Sequence, residues 1–390
     1  MSDALRNREF RALWIAEAQS VLGDHLTTVA LSIMVYNRTG SALWAAVVYA
    51  LTFLPALAGG LGLAQIADRY PRKAVLVLSS ATQALLVGGM AIPGMPLAPL
   101  CALVVLARLA GAPANAAQNA LTREIFTDEL YLRSQDLRGI TANIAMLAGF
   151  GGGGLLVTSL GPSWALALDA ASFVVAAALV QLCVRARPAA GDPGDGWFTA
   201  VRWVWGQRRL RALLALSWLV GLAVIPEGLA APLADQIGAS PQAVGWLLAA
   251  DPVGFILGTF VLSRFVSAEN RRRVMGLLAT AAAAVLVGFA LTPTLPFALL
   301  LLMLAGAAGA YIITVGATFI TWVPNELRGG AGGVYRTGLR VAQGVGVALG
   351  GVVADLVGSA TTTIALAGAA GVVLTIPVAV SWSRVRRTTP

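Results

Sequence analysis

Residues Ala64 to Lys73 read AQIADRYPRK, a short acidic-then-basic turn between two apolar segments, each too long to be a helix of a soluble core. A turn of that kind lies where a hairpin of membrane helices emerges into water. Outward from it, the whole chain keeps the pattern. Of 390 residues, 58% are hydrophobic and 12% charged, which leaves too little polar surface to solvate soluble domains. The formal charge of +9 comes in small basic groups separated by apolar runs of about twenty residues, so no continuous basic face for nucleic acid forms. Cys101 and Cys183 fall inside apolar segments and imply no disulfide framework. The start, MSDALRNREFRALW, lacks a small-residue cleavage site after a short apolar core, so the first span is expected to be retained.

Apolar runs bounded by Pro, Gly and charged clusters predict twelve spans, beginning near Leu13, Ala42, Ala74, Pro99, Gly139, Trp164, Ala212, Ala243, Val274, Pro296, Thr337 and Thr362. An even number puts both termini on one side. Arg6, Arg8 and Arg11 precede span 1, Arg69, Arg72 and Lys73 follow span 2, and Arg123, Arg133 and Arg138 lie between spans 4 and 5. The later arginines fall on the same side. Only Arg38 lies in a loop on the other face, and only Arg108 sits at membrane depth. The positive-inside rule therefore predicts a multi-pass protein of the bacterial cytoplasmic membrane with both termini cytoplasmic. Trp44, Trp164 and Trp246 fall at expected outer ends, and Trp14, Trp322 and Trp382 at inner ones.

One long connection divides the chain into an N-terminal bundle (1–185), a linker (186–211) and a C-terminal bundle (212–390). In the linker, Trp197, Val201, Val204 and Trp205 share a helical face that predicts a helix lying along the inner membrane surface. Arg69 and Arg264 are 195 residues apart, as are the glycine runs starting at Gly149 and Gly344, the spacing of two parallel six-helix repeats.

The turn at Ala64–Lys73 resembles the loop between helices 2 and 3 of the major facilitator superfamily, Gly-x-x-x-Asp-Arg-x-Gly-Arg-Arg/Lys, with Ala64 and Pro71 in place of the two glycines. LWIAEAQSVLGDHLTTVAL in span 1, ARLAGAPANAAQNAL around Arg108, AGFGGGGLLV in span 5 and LDAASF in span 6 resemble its twelve-helix drug/proton antiporter branch, which includes macrolide-efflux and enterobactin-exporter-like proteins. Phe150 stands where the exporters' Gly-Pro-x-x-Gly-Gly motif has proline, and Ser263 replaces the acidic residue in the second copy of the turn. The resemblance implies an all-α membrane protein of two pseudo-symmetric six-helix bundles. It further implies that Asp68 approaches the start of helix 11 near Arg336 and latches the halves. In that latch Arg69, Arg72 and Lys73 complete the turn, with Glu124 or Asp128 as partners.

An ionised side chain at the bilayer centre costs about 2.5 to 3.5 kcal/mol on insertion scales, so each one needs a reason. Glu17 and Asp24 are two helical turns apart and share a face of span 1, and Asp24 lies roughly 18 Å along it, near the midplane. With Arg108 opposite, Asp24 reads as a group that binds and releases a proton, with Glu17 a second candidate. The competing reading is a static buried pair whose spare hydrogen bonds go to His25, Thr27 and Thr28. Glu227, in a segment broken by Pro226 and Pro232, is a candidate for the substrate cavity, together with Asp251, Tyr49 and Phe53. Asp169 reads as helix packing near an outer end, and Asp355 as interfacial. Gly149, Gly151, Gly153 and Gly154 predict close packing of helix 5 against helix 8.

No metal-ligand spacing, nucleotide-binding loop or nucleophile-base pair is apparent, so an enzyme, a cofactor and ATP drive are all disfavoured. The expected protein is a monomeric secondary transporter, driven by the proton gradient, that exports an amphiphilic small molecule. An importer or uniporter on the same fold stays open, because Phe150 permits it. A non-transporting receptor or partner subunit stays open too.

Overall fold

The computed structural model describes residues 2–53, 69–126, 128–187 and 196–387, with the side chains of 2–3, 128, 196–198 and 383–387 left aside. Every regular element among them is helical. The spans are α1 (Arg8–Thr39), α2 (Ala42–Ala50), α3 (Arg72–Met90), α4 (Leu97–Ile125), α5 (Asp128–Leu160), α6 (Pro162–Cys183), α7 (208–236), α8 (Ala243–Phe265), α9 (Ala268–Val287), α10 (295–321), α11 (Arg328–Val357) and α12 (Ala360–Arg387). Ten helices among the described residues are long and apolar enough to cross a membrane. With α1, which carries Glu17 and Asp24, and with α2, the count agrees with twelve spans.

Helix ends follow local chemistry. Asn7 Oδ1 accepts the Glu9 and Phe10 amides at 2.9 and 3.2 Å and so starts α1. Ser41 and Ser267 do the same for α2 and α9. Several spans begin earlier than their apolar runs: α5 starts at Asp128 where apolarity begins near Gly139, and α11 at Arg328 where it begins near Thr337. Apolarity marks the stretch suited to lipid, whereas the backbone stays helical through polar residues that a watery surface tolerates. Span 7 is broken into runs Arg208–Trp218, Val220–Ala223, Ile225–Gly228 and Ala230–Gln236, the last two breaks lying within three residues of Pro226 and Pro232.

Two compact units emerge. One comprises residues 1–34 and 55–194, the other residues 35–54 and 195–390. The first has a core of Leu13, Val75, Leu76, Leu121, Ala176 and Val180, where α1, α3, α4 and α6 meet. The second is built around Leu213, Leu214, Met275, Tyr311, Phe319 and Trp382. The C-terminal end of α1 and the whole of α2, assigned from sequence to the N-terminal bundle, belong to the second unit.

The linker forms a helix, Gly196–Gly206, that packs on α11. Its buried stripe is Ala200 and Val204, both fully buried, while Val201 is half-buried and Trp205 is 46% exposed. The expected apolar face is therefore rotated: Ala200 joins Val204 in the buried stripe, and Trp205, partly exposed, sets its ring 6.0 Å from that of Trp218. Trp197 lies outside the described side chains. Trp382 likewise belongs to the core, 2% exposed, with its indole N–H on the Arg272 carbonyl oxygen at 3.0 Å.

Candidate functional site

In the first unit the charges at depth converge. The Arg108 guanidinium donates to Asp24 at 2.7 Å, and the two side chains keep 25% and 32% of their accessible surface. Neither is sealed. Beside them is a void of about 10 Å³, close to the size of one water, lined also by Thr27, Gln83 and Met90. Thr28 Oγ1 donates back to the Asp24 carbonyl oxygen at 2.8 Å.

Asp169 packs α6 against α1, as expected from sequence, and also lies beside this ion pair. It is fully buried, accepts from Thr27 Oγ1 at 2.6 Å and from Ser172 at 3.3 Å, and lies close enough for the charges of Asp24 and Arg108 to act on it. Gly23 makes this possible, because a Cβ there would stand 2.1 Å from Asp169 Oδ1. Arg108 thus pairs with Asp24, while Asp169 lies nearby with its own bonds to Thr27 and Ser172. The signal was present in the sequence as Gly23 next to Asp24, but nothing local paired it with span 6.

Glu17 belongs elsewhere. Arg138 grips it with two bonds, Nε at 2.6 Å and Nη2 at 2.8 Å, and spends a third on Asn119 and Gln135. Both side chains are mostly buried, at 10% and 22% exposed. A bidentate fork of this kind holds α1 to α5 rather than leaving a carboxylate poised for exchange.

The glycines of α5 meet a partner other than the expected one. A Cβ on Gly149 would stand 2.6 Å from the Leu22 carbonyl oxygen, and one on Gly153 3.0 Å from Val29, so both pack on α1. Gly151 faces open space, and Gly154 is buried. Phe150, in the motif's proline position, packs edge-on against His25 with ring centroids 4.4 Å apart. Close packing is thus real for two of the four, but within the first unit and against α1.

In the Ala64–Lys73 turn, Asp68 lies outside the described residues. Arg69 is exposed, Lys73 half-buried and Arg336 exposed. Arg72 pairs with Glu124, and Arg187 reaches the same carboxylate at 3.6 Å while donating to Glu9 at 2.7 Å. This network ties the starts of α1 and α3 to the ends of α4 and α6. Arg187 went unnoticed in sequence because it sits in a run of arginines that reads as a topology signal.

In the second unit, Tyr49 of α2 donates its hydroxyl to Glu227, and the Arg340 guanidinium lies 5.5 Å above the Phe53 ring and within electrostatic reach of Glu227. Three further bonds tie the same segment down. Tyr36 donates to Asp235 at 2.8 Å, and Asp355 accepts from Ser41 Oγ at 3.0 Å and from the Leu43 amide at 3.3 Å. Asp355 is therefore a clasp rather than a merely interfacial group. Glu227 and Asp251 both line a chamber of about 220 Å³ enclosed by α7 to α12.

Asp251 is set by backbone packing. A Cβ on Gly254 or Gly258 of α8 would lie 1.9 or 2.1 Å from the Met303 or Ala307 carbonyl oxygen, and one on Gly306 of α10 would lie 2.1 Å from that of Asp251. Glycine spaced by four lets the two helices touch along their backbones.

A multi-span helical chain with carboxylates and an arginine held in its interior is a membrane transporter of the major facilitator type. A model of the transmembrane secretion effector family matches residues 2–389, and the chain belongs to that family. It is a transporter and not an enzyme. The multidrug efflux pump Tap of Mycobacterium tuberculosis is 27% identical, over 94% of this chain and 92% of the relative. The enterobactin exporter EntS of Escherichia coli is 26% identical, over 98% and 94%. Among solved structures, a bacterial homolog of the human lysosomal transporter Spinster, inward-facing and unoccupied, superposes with a TM-score of 0.77 at 16% identity, covering 97% of this chain and 96% of the other. The POT family transporter PepTSo gives 0.78 at 12%, covering 98% and 99%. At these identities the structures speak for the fold.

Proposed function

We propose that the chain is a proton-coupled exporter of an amphiphilic small molecule, a drug, natural product or siderophore, in the bacterial cytoplasmic membrane. It works as a monomer by alternating access, with both termini cytoplasmic and the Asp68–Lys73 turn as its latch. The observation that supports the coupling is the Asp24–Arg108 ion pair inside a span, with the buried Asp169 carboxyl beside it. The efflux and exporter names of the relatives support the direction.

A proton on Asp24 removes its half of the ion pair, frees Arg108 to turn to Asp169, and changes which helix positions are held together. The proton shifts the balance of conformations by its differential affinity for them and by no more. Release to the outside requires residues 35–54 to let go of Glu227, Asp235 and Asp355. Each bond is worth on the order of 1–3 kcal/mol, so the barrier is within reach of one binding event.

A susceptibility panel of drugs and natural products, in a strain lacking its own efflux pumps, tests the reading. The chain should raise tolerance to some members and lower their accumulation, and a protonophore should abolish the difference. Accumulation rising with expression instead would mean import.

A further inference from the structure

The chamber enclosed by α7 to α12 holds about 220 Å³, and its wall is mostly leucine, alanine, valine and glycine. That is far more than a single water or bare ion fills. Its two carboxylates are not equivalent. Glu227 accepts the Tyr49 hydroxyl and lies in the field of Arg340. Asp251 accepts no hydrogen bond and pairs with no cation among the described residues, and the charge that acts on it is the negative one of Glu227. Such a group in apolar surroundings is unfavourable until a donor meets it.

Two further observations point to that donor. Gln343, on α11 and in the same wall, has its Oε1 shielded from water and without a hydrogen-bond partner. Phe255 lies one turn beyond Asp251 on the same face of α8, and Tyr311, its hydroxyl already engaged by the Leu216 carbonyl oxygen at 3.0 Å, brings a second ring to the wall. A lone carboxylate, an unpartnered amide oxygen and two aromatic rings in an otherwise apolar chamber are the groups that recognise an organic ammonium.

The geometry points to this chamber as a binding site for a lipophilic organic ammonium ion, with Asp251 and Gln343 Oε1 accepting its N–H groups beside Phe255 and Tyr311. The inference rests on the export reading and deepens it by naming the charged end of the cargo. Because Glu227 shares the chamber, a cation seated there also competes with Tyr49 for that carboxylate, which links occupancy to the contact holding α2.

The test is titration of the full chain in lipid nanodiscs with 2-phenylethylammonium and, as the uncharged match, 2-phenylethanol. The ammonium should bind at least about tenfold more tightly than the alcohol, and Asp251→Asn should remove about tenfold or more of that affinity, the loss expected for a charged hydrogen bond. Phe255→Leu should weaken the ammonium and leave the alcohol unchanged. Equal binding of the two probes, no binding of either, or an Asp251→Asn protein that binds the ammonium as before would each overturn the assignment. If Asp251→Asn fails to fold, the contrast between the probes on the unaltered protein decides. Failure of the export reading looks different, since it leaves this equilibrium binding intact while gradient-driven flux is missing.

Discussion

Glu17 and Asp24 lie two turns apart on one helix and yet do different work, because of what faces them. Arg138 meets Glu17 with a geometrically matched fork, both groups being mostly buried, so removing either charge leaves the other uncompensated. Glu17→Gln should cost about 1–3 kcal/mol in thermal stability. The double change with Arg138→Gln should recover part of it, a coupling that a melting series of the four proteins reads directly. Additive losses would deny the pair its role. Asp24 was legible in sequence because a carboxylate inside an apolar run stands out by itself. Asp169 stands out equally, but its partnership with Thr27 spans 142 residues. That partnership depends on Gly23 having no side chain, a relation between two helices that one-dimensional pattern does not carry.

At the scale of elements, backbone contact sets positions that side-chain chemistry then uses. Gly258→Leu would force α8 away from Ala307 of α10 and should lower the melting temperature by several degrees, in line with the 1–3 kcal/mol that overpacking typically costs, roughly. Gly151→Leu, where nothing lies within 4 Å, is the control and should melt as the parent does. The α2 segment makes the complementary case, since its hold depends on single bonds. Tyr49→Phe should loosen the outer end, seen by double electron-electron resonance between spin labels at exposed Asn37 and Pro241 as a larger fraction of long distances. Unchanged distributions would remove the Tyr49–Glu227 contact from gating. Helix number, the break in α7 and the linker helix were readable from apolar runs, prolines and spacing. Of the linker's buried face only Val204 was, because Ala200 looks weak beside Trp205.

For the whole molecule, charge and hydropathy were enough for the fold, because a bilayer leaves helices as nearly the only solution for a chain so poor in polar surface. Function was less legible. Carboxylates at depth announce that something charged is handled, but which of them exchanges protons and which meets cargo depends on partners drawn from distant spans. The acidic groups fall into two sets: Asp24 and Asp169 lie near Arg108 in one unit, and Glu227 and Asp251 share a chamber in the other. That division accounts for why an exporter would keep acidic groups in both bundles.

The most direct measurement is gradient-driven flux in proteoliposomes containing the purified chain or its Asp24→Asn variant, with an imposed pH difference and a fluorescent amphiphilic cation as cargo. The unaltered chain should move cargo against its gradient only while the pH difference lasts. The Asp24→Asn protein, folded and inserted, should lose at least about tenfold of that flux. Flux in the variant that still follows the pH difference at the original rate would contradict proton coupling through this cluster.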